Sequence, residues 1–259
     1  SVSAEVVSPD VEGMLREGDE LRATPFGKRV SDLYIDPKSA VVIRDAREKP
    51  GRKGEFGLLP AACATPDMQL MYLRQSDYED VEEYLESVKE EMIIQAPDDL
   101  ANYELYLSEV KTARLLREWL DETHENDIAE AFGVGPGDIR TKVDLAKWLT
   151  HATTRLAELF NEEAVPQARE LEARLTYGIR PELLELVKLR GIGRVRARAL
   201  YSRGIKGVED LRNTSYDRLK QIPTIGESVA RRIKEQLGQT DPTIPVLPQE
   251  GQRSLVDFR

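Results

Sequence analysis

The stretch LVKLRGIGRVRARALYSRGI, residues 186–205, is followed by a near-copy of itself, RLKQIPTIGESVARRIKEQL, residues 218–237. Each copy reads as an apolar helix, a tight turn, Ile-Gly, and a second helix with alanine near its start, which is the helix-hairpin-helix pattern. Gly191 and Gly193 let the backbone turn tightly, so that amides at the start of the next helix can approach a phosphate oxygen. Arg194, Arg196 and Arg198 follow directly and supply the counter-charge. Backbone amides and guanidinium groups on phosphates carry no base information, so such a site suits sequence-independent DNA contact. The alternative is that paired hairpins simply pack as a compact helical domain. The second copy, with Thr224 where the first has Gly191, fits that role.

The rest of the chain looks different. All 259 residues together carry a formal charge of −10, with 32% charged and 40% hydrophobic residues, enough to bury a real core. Net acidity argues against nucleic-acid binding until it is resolved along the sequence. From Gly178 to Thr240 there are fourteen basic and seven acidic residues, about +7, which leaves about −17 elsewhere. A basic module is joined to an acidic body. No apolar run suits a membrane span, and Ser1-Val-Ser-Ala lacks the basic start of a signal peptide, so a cytoplasmic, nucleoid-associated protein without membrane contact is expected. The single Cys63 allows neither an internal disulfide nor a cysteine-rich zinc site, and the HEND run at His124 lacks a second histidine; no metal site is expected.

The expected fold is mainly α. Residues 1–36 read as a helical stretch, VEGMLREG, followed by a β-hairpin wing whose turn at Pro25–Gly27 joins two alternating apolar runs. Residues 37–177 read as a helical bundle, 178–238 as the helix-hairpin-helix module, and 239–259 as a Pro-rich flexible tail.

The most informative helix of the body is GDIRTKVDLAKWLTHATTRLAELF, residues 137–160. At 3.6 residues per turn, Ile139, Val143, Ala146, Leu149, Ala152, Leu156 and Phe160 form its buried stripe, and Trp148 falls outside it. The tryptophan shares a polar face with Thr141, Asp144, His151 and Arg155. An aromatic and an arginine so spaced suit a single strand, one stacking on a base at about 1–3 kcal/mol and the other holding a phosphate. A boundary tryptophan covered by a neighbouring helix fits the same pattern.

In order, ATPFGKRVSDLYIDP, GLLPAACATPDM, GVGPGDIRTKVDLAKWLTHATTRLAEL and LVKLRGIGRVRARALY resemble the C-terminal half of the archaeal Ski2-like superfamily 2 DNA helicases, relatives of the eukaryotic HELQ helicases. The resemblance implies the end of a winged-helix domain, a helical "ratchet" bundle and a terminal helix-hairpin-helix domain. It makes Trp148 and Arg155 strand contacts of the ratchet helix, and Arg194, Arg196 and Arg198 a cluster restraining the emerging strand. It also places a basic residue two turns before the tryptophan. Thr141 stands there, between Arg140 and Lys142, which leaves either of these two as the DNA contact. The implied function is that of the DNA-engaging portion of an ATP-dependent 3′-to-5′ helicase acting on single-stranded and forked DNA at stalled forks.

The sequence contains no G-x-x-x-x-G-K-[ST] phosphate loop and no acidic Mg²⁺-holding box. ATP and Mg²⁺ are therefore expected in motor domains of the same polypeptide, and this chain alone is expected to be inactive. The alternative is a non-enzymatic helix-hairpin-helix scaffold of a repair or recombination complex. At the C-terminus, Gln252, Leu255 and Phe258 have the spacing by which replication proteins dock on the sliding clamp PCNA, although Arg259 replaces a second aromatic.

Overall fold

The computed structural model describes residues 14–17, 20–48, 55–160 and 162–239. The clamp-like tail, with Gln252, Leu255 and Phe258, lies outside them. The chain divides into two compact units, Ser1–Pro181 and Glu182–Arg259, a junction four residues beyond the one the sequence suggests.

The first unit starts with an antiparallel hairpin, β1 (Met14–Glu17) and β2 (Glu20–Ala23), in which Met14 pairs with Ala23 and Glu17 with Glu20. Helices follow: α1 (Pro25–Leu33), α2 (Pro37–Glu48), α3 (Glu55–Cys63), α4 (Tyr78–Val88), α5 (Leu100–Leu120), α6 (Glu125–Phe132), α7 (Pro136–Phe160) and α8 (Val165–Tyr177). This corrects the reading of the first 36 residues. The expected helix at VEGMLREG contains a strand, and the expected wing turn at Pro25–Gly27 is the first turn of α1. The reason is local: Thr24 Oγ1 accepts the Gly27 amide at 2.9 Å, and Pro25 occupies the first helical position, where its missing N–H costs nothing.

Helix α7 is the axis of this unit, packing on α1, α2, α3, α5, α6 and α8. Ile139, Val143, Ala146, Leu149, Ala152 and Leu156 are all buried, as their spacing requires. Fully burying a leucine contributes about 1.5–3 kcal/mol, so this stripe is what holds the helix in place. Because neighbours surround it, α7 also buries Thr150, Thr153 and Thr154; Thr153 and Thr154 donate their hydroxyls to the Leu149 and Thr150 carbonyls. His124 caps α6, its Nδ1 accepting the Asn126 amide at 3.2 Å. Among the described residues, no helix is long and apolar enough to cross a membrane.

Among its described residues, the second unit has five short helices: α9 (Leu184–Val187), α10 (Arg194–Tyr201), α11 (Val208–Asn213), α12 (Tyr216–Lys220) and α13 (Glu227–Gln236). Its core is Leu183, Leu186, Ile192, Ala197, Leu200, Ile205, Leu211, Leu219, Ile222, Ile225, Ala230 and Ile233. Corresponding apolar positions of the two sequence copies thus meet in one interior. Lys234 crosses this interior and donates its ammonium to the Leu211 and Arg212 carbonyls and to Gln239 Oε1, closing the end of α11.

Candidate nucleic-acid interface

The two hairpins share one backbone design. In the first, the Ile192 amide donates to the Leu189 carbonyl at 3.1 Å, with Gly191 at φ +86°. In the second, Ile225 donates to Ile222 at 3.0 Å, with Thr224 at φ +72°. Both are type II turns, whose third residue needs positive φ. Glycine adopts it freely, whereas a β-branched threonine is strained there by about 1–2 kcal/mol. Pro223 in the second turn offsets part of this, because its ring pre-sets the preceding corner. Ile192 and Ile225, 2% and 1% exposed, anchor the two turns in the core.

Each turn feeds a helix capped by glycine, Gly193 for α10 and Gly226 for α13, neither with a side-chain cap. A Cβ at Gly193 or at Gly226 would meet nothing within 4 Å, so both helix entries are open to a ligand approaching the backbone, and the side chain that follows makes the difference. The first helical residue is Arg194 in α10 and Glu227 in α13. A cation at a helix N-terminus opposes the dipole and invites an anion; a glutamate there supplies the negative charge itself. The same turn is therefore anion-seeking in the first hairpin and self-neutralised in the second.

The three arginines do not form one cluster. On a helix, residues i and i+2 point to opposite sides and i and i+4 share a face. Arg194 and Arg198 accordingly share a face. Arg198 donates to Glu182 Oε1 at 2.8 Å and lies over the Tyr201 ring at 5.3 Å. Arg196 points toward the second hairpin, where Nε donates to the Thr224 carbonyl at 3.1 Å and Nη1 to the Gly191 carbonyl at 2.6 Å. One guanidinium thus ties together the equivalent corners of both turns. Gln236 adds a second tie, exchanging hydrogen bonds with the amide and carbonyl of Arg190 at 2.7 and 3.1 Å.

In the first unit, Trp148 is half-buried against the core, and its indole Nε1 donates to the Leu33 carbonyl at 3.2 Å. The end of α1 is therefore the cover that the sequence pattern left open. Arg155, further along the same face, holds Glu158 Oε2 at 2.7 Å, and its own carbonyl accepts Arg29 Nη1 at 3.0 Å. Glu158 also receives Arg169 at 3.0 Å; burial pushes its carboxyl upward in pKa, but the Arg169 hydrogen bond and the charges of Arg155, Arg169 and Arg29 outweigh this and hold it low. Three arginines surround this carboxylate, and a second acid on the same face, Glu172, lies 3.1 Å from His151 Nδ1. The face opens into a groove of about 400 Å³ between α7 and α8, lined by His151, Arg155, Glu158, Arg169, Glu172 and Tyr177.

Of the two basic candidates before Trp148, Arg140 is exposed and Lys142 is only 5% exposed. Burial pulls the Lys142 ammonium below its usual pKa, with Asp138 and Cys63 opposing. The structure thus leaves Arg140 accessible and turns Lys142 inward.

Residues 56–178 match the family described as archaeal helicase, domain 4, and residues 183–239 match the SAM-like helix-hairpin-helix tandem. The class is that of a helicase helical domain joined to a helix-hairpin-helix DNA-binding module. Among the relatives, the ATP-dependent DNA helicase Hel308 of Methanocella arvoryzae is 39% identical over 93% of this chain, and that of Thermococcus kodakarensis 38% over 83%. The Hel308 of Caldivirga maquilingensis is 35% identical over 87%. The chain is a Hel308-like helicase C-terminal region, and it spans 34%, 20% and 31% of the length of these three relatives.

Proposed function

We propose that this chain is the DNA-engaging portion of an ATP-dependent 3′-to-5′ DNA helicase that works on forked or stalled replication DNA. The observation that carries the reading is the first hairpin: a glycine turn, a helix start that is open at Gly193, and Arg194 and Arg198 on one face beside it. The relatives are named as ATP-dependent helicases; in this reading ATP and Mg²⁺ belong to motor domains of the same polypeptide, these 259 residues containing no phosphate loop.

In this reading the first hairpin holds strand phosphates through Gly191, Gly193, Arg194 and Arg198, and Arg196 acts by keeping the two hairpins in register. Along α7, Trp148, Arg155 and Arg140 form a second track for single-stranded DNA. The tail docks on PCNA through Gln252, Leu255 and Phe258.

The test is binding of labelled single-stranded and forked oligonucleotides across a salt titration, with ATP turnover measured alongside. The proposal expects weak, strongly salt-dependent, sequence-tolerant binding and no ATP hydrolysis. Salt-insensitive binding, or DNA-stimulated hydrolysis by this chain alone, would overturn it. Trp148→Phe is the informative variant on α7. Trp148→Ala would also remove core packing and the hydrogen bond to Leu33, at about 2–4 kcal/mol.

A further inference from the structure

Tyr34 is the most exposed large hydrophobic side chain among the described residues, at 88%, and it stands immediately beside the atom that Trp148 grips. It follows the last residue of α1 in the left-handed region, at φ 57° and ψ 28°. Glycine or asparagine normally takes that position, because a Cβ there crowds the carbonyl that follows. The conformation has a geometric result: Leu33 and Ile35 both turn into the core, Ile35 to 5% exposure, and Tyr34 alone is thrown outward.

The ring stands on a firm base. The Tyr34 amide donates to the Ser31 carbonyl at 3.2 Å, the Leu33 carbonyl accepts the Trp148 indole, and the Asp36 amide donates to Asp67 Oδ2 at 2.8 Å. Its sequence neighbours Ser31, Asp32 and Asp36 are exposed and polar, and the exposed Pro37 adds only a small apolar surface. A protein partner favours a contiguous apolar patch, whereas one exposed aromatic ring on a well-tied backbone suits a single flat π-faced ligand. Cations for the anionic part of such a ligand stand on α1, α7 and α8: Arg29, Arg155 and Arg169 around Glu158, with Glu172 beside His151.

We propose that Tyr34 is a nucleobase-stacking residue, taking a base of a single strand at the junction of α1 and α7. Trp148, through its bond to Leu33, is a positioning residue for the segment that presents the ring. This inference rests on the proposed function and extends it to a residue outside α7 and the hairpins.

The test uses the 259-residue chain and a labelled oligo-dT, with wild type, Tyr34→Asn, Tyr34→Phe and Arg194→Ala compared by anisotropy. Asparagine tolerates the left-handed conformation, so Tyr34→Asn removes the ring without straining the backbone. Tyr34→Asn is expected to weaken binding about tenfold, and Tyr34→Phe to restore most of it. The slope of log affinity against log salt should not change, because stacking releases no counterions. On an abasic oligonucleotide the gap between wild type and Tyr34→Asn should close. Equal affinity of wild type and Tyr34→Asn for oligo-dT, or a loss that persists on the abasic strand, overturns the assignment. If Arg194→Ala weakens binding while Tyr34→Asn does not, this inference alone fails; if wild type does not bind at all, the proposed function fails with it.

Discussion

The two hairpins of the second unit have the same turn, the same buried isoleucine and the same glycine cap, yet they differ at two positions that decide what each can do. Gly191 is replaced by Thr224, and Arg194 by Glu227. The first change strains the second turn without altering its shape. The second change reverses the charge at the helix start. In the proposed reading the duplicated fold supplies one anion site and one partner that completes the core, with Arg196 joining the corners of both. Shape alone does not make a phosphate site; the sign of the first helical side chain does.

The largest expected effect is on DNA binding. Arg194→Ala combined with Arg198→Ala should weaken single-strand binding at low salt about tenfold, while Glu227→Ala should not weaken it. Arg196→Ala should act on stability, because the Gly191 and Thr224 carbonyls lose a charged donor. Thermal unfolding should register a loss of about 1–2 kcal/mol. If Arg196→Ala instead leaves stability intact and abolishes binding, the strut is a strand contact after all.

These assignments also show what could be read without coordinates. The hairpins were legible because Ile-Gly recurs at fixed offsets from a turn, and the α7 stripe because six apolar positions repeat at helical spacing and are all buried. The first 36 residues were misread because the alternation around Pro25 outweighed the short signal of Thr24 and Pro25 as a cap and first helical residue. Lys142 is as good a candidate as Arg140 in the sequence because both flank Thr141, yet the helices packed on α7 bury it. Arg194, Arg196 and Arg198 were grouped by their spacing in the chain, which on a helix separates the middle one from the outer pair. The cover over Trp148 comes from Leu33, 115 residues away, and no local pattern announces it.

Smaller effects probe the strained turn. Gly191→Thr should destabilise the second unit by about 1–2 kcal/mol, because φ at this position is +86°; the new Cβ itself would make only an ordinary contact with Arg232 Nη1 at 3.4 Å. Thr224→Gly should stabilise it by about 0.5–1 kcal/mol, the relief of strain being partly offset by glycine's greater unfolded-state entropy. Chemical denaturation of both variants measures the pair. Equal and opposite shifts would mean that the two turns are energetically the same.

The most direct test is the salt dependence of single-strand binding by wild type, Arg194→Glu and Glu227→Arg. If the first hairpin is the phosphate site, Arg194→Glu lowers the slope of log affinity against log salt by about 0.7 or more, and Glu227→Arg raises it by a similar amount by opening the second hairpin. An unchanged slope for Arg194→Glu, or the same response from both variants, would contradict the division of labour between the two hairpins.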